Sequence, residues 1–220
     1  MVITTTASTG FEKIYLDIVG PIERDVSNFS YILTLQCELS KYVEAYPLEN
    51  KETITIAKAF VENFILRHGV PKIIATDQGT EFISSTMNEV CSLLKIDKIH
   101  STAYHHESIG ALENSHKVLG AYLRTMCNNQ ATNWSSWIPY WCFSYNTTVH
   151  TETQYTPFEL VFGKICSLPT HLTTCVDPLY NFNSYPLELK FRLQQAHLDA
   201  RNNLITNKIK RKQVYDKNVR

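Results

Sequence analysis

Three carboxylates stand out along the chain: Asp17, Asp77 and Glu113. Asp17 interrupts the apolar run Ile14-Tyr-Leu-Asp-Ile-Val19. A carboxylate there needs a hydrogen-bonding partner or a metal, unless that face of the strand is wet. Asp77 ends Lys72-Ile-Ile-Ala-Thr-Asp77 and enters Gln78-Gly79-Thr80-Glu81-Phe82. The carboxyl ends of strands in α/β sheets commonly carry ligands and metals, although Asp followed by Gly also suits a plain turn. Gly79 permits a close backbone approach or a positive φ. Glu113 follows Leu112 of an apolar helical seam and lies on a flanking stripe with Lys117 and Arg124. The simplest use of such a residue is a surface Glu–Lys pair, worth about 0.3–0.5 kcal/mol. No Ser–His or Cys–His arrangement offers nucleophilic catalysis.

The elements that must position these residues follow from periodicity. Three strand-like runs come first, Ile14–Val19 closed by Gly20-Pro21, Tyr31–Cys37, and Tyr42–Tyr46 closed by Pro47. Short gaps between them predict an antiparallel meander. Ile54, Ala57, Phe60, Val61, Phe64 and Ile65 recur at helical spacing, with Gly69 as the stop. A strand over 72–77 follows, then a helix carrying Phe82, Met87, Val90, Leu93 and Leu94, and a short strand over 96–100. Ile109, Leu112, His116, Leu119, Leu123 and Met126 predict a helix with one buried seam. Trp134, Trp137, Ile138, Trp141 and Tyr145 mark another, whose aromatic stripe suits a core better than a base-stacking platform. Thr156-Pro157 starts a short helix ended by Gly163. Strands first, then alternating helix and strand, imply an α/β plan with helices on both faces of one sheet.

Taken together, the spacing and framing words of the three carboxylates resemble the DDE triad of retroviral and gypsy-type LTR-retrotransposon integrase cores. The words are Asp17-Ile-Val-Gly20-Pro21, Thr76-Asp77-Gln-Gly-Thr-Glu-Phe82, and Thr102-Ala-Tyr-His105 leading to Gly110-Ala-Leu-Glu113. Tyr145-Asn146, His150, the block Thr156-Pro-Phe-Glu-Leu-Val-Phe-Gly163 and the tail's Tyr215-Asp216-Lys217 are similar to that family too. The resemblance implies an RNase H-like fold with a mixed five-stranded sheet. It implies Asp17, Asp77 and Glu113 as catalytic residues holding two Mg²⁺ or Mn²⁺ ions; hard divalent cations prefer carboxylate oxygens. The implied reaction is metal-dependent 3′-end processing and strand transfer at DNA phosphodiesters. DNA ends and target DNA are the implied partners, a homo-oligomer the expected assembly, and the nucleus the expected place. Lys117 fills a position where relatives carry a DNA-holding basic residue, whereas Gly120 occupies the next one. His105 is a further candidate DNA contact, although His106-Glu107 stands where relatives read Pro-Gln, and Asn114 where they read Arg. Neither a zinc-binding HHCC module nor an SH3-like or chromodomain module is visible, so a core fragment, a truncated copy or a host gene derived from one is expected.

Composition bounds these readings. The 220 residues carry 21 Lys+Arg against 21 Asp+Glu, and 44% of them are hydrophobic, as in an ordinary globular protein. Seven Gly and eight Pro exclude a collagenous or low-complexity class. The neutral balance excludes a histone-like polycation, yet the charge is segregated. Residues 1–184 hold 12 basic and 18 acidic residues, whereas residues 185–220 hold 9 and 3. Lys208, Lys210, Arg211 and Lys212 make the tail a candidate DNA contact, alongside its plainer reading as a solvated helix. Leu189, Leu193, Ala196, Ala200 and Leu204 give this tail a helical period, with no partner visible in the sequence. Six cysteines without a CxxC pair suit free thiols in a reducing compartment. No signal peptide and no 18-residue apolar run is visible. The expected organisation is a loose segment over 1–10, a catalytic core over 11–165, a linker over 166–184 and a basic helical tail over 185–220. The alternative function is a catalytically silent integrase-like module that binds DNA or protein.

Overall fold

The computed structural model describes residues 7–77, 79–100, 106–127, 131–168 and 185–218, with backbone alone at 100, 106–114, 131–132, 185–186, 215 and 217–218. The chain divides into two compact units. One comprises Phe11–Glu38 and Val43–Tyr145; the other comprises Met1–Gly10, Leu39–Tyr42 and Asn146–Arg220.

In the first unit, strands β1 (Lys13–Val19), β2 (Tyr31–Cys37), β3 (Val43–Leu48), β4 (Ile73–Thr76) and β5 (Asp97–His100) form one sheet in the order β3-β2-β1-β4-β5. The first three strands are antiparallel neighbours, as the short connections require. β4 joins β1 in parallel, and β5 joins β4 in parallel, each after a helical crossover. This is the mixed five-stranded, RNase H-like plan expected of the sequence. β3 continues through Pro47, which the sequence reading took as its end. The ladder tolerates this proline because β3 is an edge strand.

Central strands need both faces covered, and period-two alternation supplies two apolar surfaces. Ile14 and Leu16 of β1, Leu33 and Leu35 of β2, and Ile74 of β4 pack on α1 (Thr53–Ala59), its π-helical continuation Phe60–Ile65, α3 (Thr80–Ile83) and α4 (Ser85–Leu93). A further helical turn, α2 (Leu66–His68), ends at Gly69, whose φ is +88°. The single helix read over 82–94 is two, because Ser84 breaks it and its hydroxyl accepts the Met87 N–H. On the opposite face, Ile32, Val43 and Ala45 pack against Leu119 and Leu123 of α5 (His106–Met126), Trp134 of the 3₁₀ segment Ala131–Trp137, and Ile138 and Trp141 of α6 (Ile138–Thr147). Trp134 and Trp141 are fully buried, so these two are core residues, and the Trp134 indole donates to the Glu23 carbonyl at 2.8 Å. Each large side chain so buried contributes about 1.5–3 kcal/mol before entropy is counted.

The α5–α6 face also carries a polar row. Lys13, Tyr15 and Asp17 alternate along β1, and Asp17 and Tyr15 pair with Thr34 and Gln36 of β2. Tyr15 hydroxyl donates to Glu38 at 2.9 Å, Lys13 Nζ lies 3.3 Å from the same oxygen, and Gln36 donates to Tyr145 hydroxyl at 3.1 Å. The Lys13 and Glu38 side chains are only 8% and 2% exposed, so each depends on the other for its charge.

The second unit is built around α7 (Pro157–Phe162) and α8 (Tyr185–Asn218). Thr156 caps α7 by accepting the Glu159 N–H, with Pro157 in the first turn, and Gly163 ends it in the left-handed region. A side chain at Gly163 would stand 2.6 Å from Leu189 and 3.0 Å from Leu193, so the absent Cβ lets α8 approach. The basic tail therefore has a partner in its own chain. Asp199, Asn203, Asn207 and Arg211 recur every four residues on α8 and bond the loop before α7. Tyr155 hydroxyl donates to Asp199 at 3.4 Å, Asn203 donates to the Thr153 carbonyl at 3.0 Å, and Asn207 donates to the Glu152 carbonyl at 3.2 Å. Arg211 lies 2.9 Å from the Glu152 carboxylate, whose other oxygen is 3.0 Å from Lys41. Ala200 and Leu204 are fully buried beside this line. Among the described residues no helix is long and apolar enough to cross a membrane.

Candidate active site

Asp17 and Asp77 lie 60 positions apart in sequence, and the sheet brings their backbones level. Leu16 pairs with Thr76 across the parallel β1–β4 ladder. One step further along both chains stand Asp17, inside β1, and Asp77, at the end of β4. Both are partly buried. Neighbouring strands run about 4.8 Å apart, so the two carboxylates share one end of the ladder.

Backbone amides orient each of them. Asp17 Oδ1 accepts the Ile18 N–H at 2.7 Å. Asp77 Oδ1 accepts the Gly79 N–H at 3.0 Å, and the Thr76 hydroxyl donates to the Asp77 carbonyl at 3.0 Å. Gly79 has an ordinary extended backbone, φ −57° and ψ 140°. Of the two roles the sequence left open for it, close approach is therefore the one used. A Cβ there would stand 3.0 Å from both Asp77 Oδ1 and the Glu81 carboxyl carbon.

His116 is a site residue that the sequence reading missed. Its place in the apolar seam of α5 marked it as a core residue. The ring instead reaches the sheet, with Nε2 2.8 Å from the Thr34 hydroxyl and Nδ1 3.7 Å from Asp17 Oδ2. Thr34 stands opposite Asp17 on β2, and its hydroxyl donates to the Asp17 carbonyl at 3.0 Å. Burial pushes the His116 pKa down to about 4, so the ring is neutral near pH 7. The signal available in sequence was a polar ring at a seam position, which needs a polar partner when buried.

Glu113 stands on α5, three positions before His116, and its side chain lies outside the described residues. His105 lies outside them altogether. Lys117 is exposed on α5. On α8, Lys210 and Arg211 are exposed, Lys208 and Lys212 are half-buried, and Arg211 is engaged with Glu152. Among the described residues no three His, Cys, Asp or Glu side chains gather as a metal-ligand set. The donor chemistry of Asp17 and Asp77 nonetheless fits a hard divalent cation, since both offer carboxylate oxygens at a partly open strand end.

Residues 10–106 match the family model described as the integrase core domain. Over those residues the chain is similar to a retroelement integrase core. Over its whole length it is 39% identical to the retrovirus-related Pol polyprotein from transposon 412 of Drosophila melanogaster, of which it spans 18%. It is 27% identical, over 70% of its length, to the Pro-Pol polyprotein of simian foamy virus type 3, of which the aligned part is 13%. The chain thus spans a small fraction of the length of the curated relatives it matches. A chain in the cryo-EM structure of the simian T-cell lymphotropic virus intasome in complex with PP2A regulatory subunit B56 gamma shares the fold. The TM-score is 0.61 at 17% identity, covering 80% of this chain and 59% of that one.

Proposed function

We propose that this chain is the catalytic core of a metal-dependent polynucleotidyl transferase that processes the 3′ ends of a retroelement and joins them to target DNA in the nucleus. The observation that carries the reading is the placement of Asp17 and Asp77 side by side on the parallel β1–β4 ladder, each held by a backbone amide. Asp17, Asp77 and Glu113 would hold two Mg²⁺ or Mn²⁺ ions. Bound divalent ions supply activation of the attacking oxygen and neutralisation of charge on the leaving one. The chain's own contribution is orientation. Ile18 and Gly79 amides fix one oxygen of each aspartate, and the missing Cβ of Gly79 lets its backbone approach Asp77. Lys117 and His105, together with Lys208, Lys210, Arg211 and Lys212, are the proposed DNA contacts. Phosphate contacts of this kind position the duplex without reading its sequence. A homo-oligomer on DNA ends is the proposed assembly, in keeping with the intasome whose chain shares this fold.

The test uses the 220-residue chain with element-end DNA. Wild type with Mn²⁺ is expected to join or reverse-join DNA ends, and Asp77→Asn to fall to background. Millimolar Mn²⁺ should also raise the melting temperature of wild type, by the temperature equivalent of about 1.4 kcal/mol at ten times the dissociation constant. Equal behaviour of wild type and Asp77→Asn across divalent metals refutes the catalytic reading. The absence of any Mn²⁺-dependent stabilisation favours a catalytically silent module instead.

A further inference from the structure

The hydroxyl of Thr34 carries one proton and has two polar neighbours. It donates to the Asp17 carbonyl at 3.0 Å, while His116 Nε2 lies 2.8 Å from the same oxygen. Both contacts are satisfied together only if Nε2 carries the ring proton and donates to Thr34. With Nε2 committed to Thr34, Nδ1 is the ring nitrogen left to take a proton or a metal ion. It faces Asp17 Oδ2 at 3.7 Å, beyond the reach of an N–H···O bond. Donor atoms each about 2.1 Å from one cation stand at most about 4.2 Å apart, and 3.7 Å falls within that limit.

We propose that His116 Nδ1 is a nitrogen donor to the divalent ion held by Asp17, so that this site favours first-row transition ions over Mg²⁺. The proposal rests on the reading of Asp17 as a metal ligand and adds to it a ligand of different chemistry. Oxygen-only sites suit Mg²⁺, whereas an imidazole nitrogen raises affinity along the Irving–Williams series. Thr34 acts as the positioning residue, because it fixes which ring nitrogen is left for the ion.

The experiment measures metal affinity and which ring nitrogen meets the metal, on the 220-residue chain, without DNA and without turnover. Co²⁺ is titrated by its visible ligand-field absorption and Mg²⁺ by calorimetry, on wild type, His116→Asn and Asp17→Asn. His116→Asn should weaken Co²⁺ binding by about tenfold or more while leaving Mg²⁺ binding within about threefold. Asp17→Asn should abolish both. In wild type, the ¹⁵N resonance of His116 Nδ1, rather than that of Nε2, should be the one that Co²⁺ perturbs directly. An unchanged Co²⁺-to-Mg²⁺ ratio in His116→Asn, with Asp17→Asn still abolishing binding, overturns the proposal and leaves the Asp17 reading standing. So does a Co²⁺ perturbation centred on Nε2 in place of Nδ1, a result that needs no variant to fold. Failure of wild type to bind either ion overturns both.

Discussion

His150 offers the clearest route from this structure to a number. It lies in the loop that receives α8, where its Nδ1 accepts the Glu152 N–H at 3.2 Å and its own N–H bonds the Tyr155 carbonyl. Burial first, and then the Lys41 ammonium, push its pKa from 6.5 down to about 4, with Glu152 opposing. Protonation at Nδ1 would remove the acceptor for Glu152 N–H and set a cation beside Lys41. The unfolded chain takes up this proton near pH 6.5 and the folded chain only near pH 4. Between those values the unfolded state binds more protons, so stability rises with pH, is complete above 6.5, and is lost as pH falls toward 4. At about 1.4 kcal/mol per pH unit the whole effect is about 3 kcal/mol, of which about 2 kcal/mol is gone by pH 5. Glu152 does not confuse the reading. Burial works to raise its pKa, but Lys41 and Arg211 outweigh that, and its carboxyl stays below the ordinary range. His150→Asn is the informative variant, because an asparagine oxygen can accept the N–H two residues on without titrating. Amide hydrogen exchange over Asn203–Arg211, corrected for intrinsic rates, reads the opening of this dock. Wild type should become about thirty-fold less protected at pH 5 than at pH 7.5, and His150→Asn should change little. Equal losses in both proteins would refute the argument.

Two further expectations test other parts of the molecule. Glu38→Gln strands Lys13 in a buried site and should cost about 3–5 kcal/mol in urea denaturation, whereas Lys13→Met with Glu38→Leu should recover most of that loss; a single variant as stable as the double would exclude a charge pair there. Because α8 docks on its own unit, the tail's role on DNA is better tested by point variants than by deletion. Lys208→Ala, Lys210→Ala and Lys212→Ala together should reduce the salt slope of DNA binding by about 2–3, and an unchanged slope would free these residues from phosphate contact.

Much of the fold could be read along the chain, because each element carries its own local cause. Alternation in Ile14–Val19 and Tyr31–Cys37 marks strands, and the Thr156-Pro157 to Gly163 block marks a helix with both ends capped. The errors fall where a distant neighbour decides. Pro47 ends a strand by local rules but lies within β3, because β3 is the edge of the sheet among the described residues. Ser84 breaks a helix whose apolar period runs on without interruption.

By itself the sequence determined the residue types of the candidate site and the elements that bear them: Asp17 inside a strand, Asp77 at a strand end, and Glu113 on a later helix. Only the tertiary structure decided what meets what. The parallel β1–β4 register sets Asp17 beside Asp77, and no local rule contains that register. The α5 crossing places His116 against Thr34 and Asp17, turning an apparent seam residue into a neighbour of the carboxylate. The four-residue line Asp199, Asn203, Asn207 and Arg211 is visible in the sequence, but the 152–155 loop that receives it is not. Secondary structure is set by periodicities a few residues long, whereas the candidate site depends on contacts such as Thr34–His116, which spans 82 positions, and His116–Asp17, which spans more. That separation is the physical reason the candidate residues were legible before their geometry.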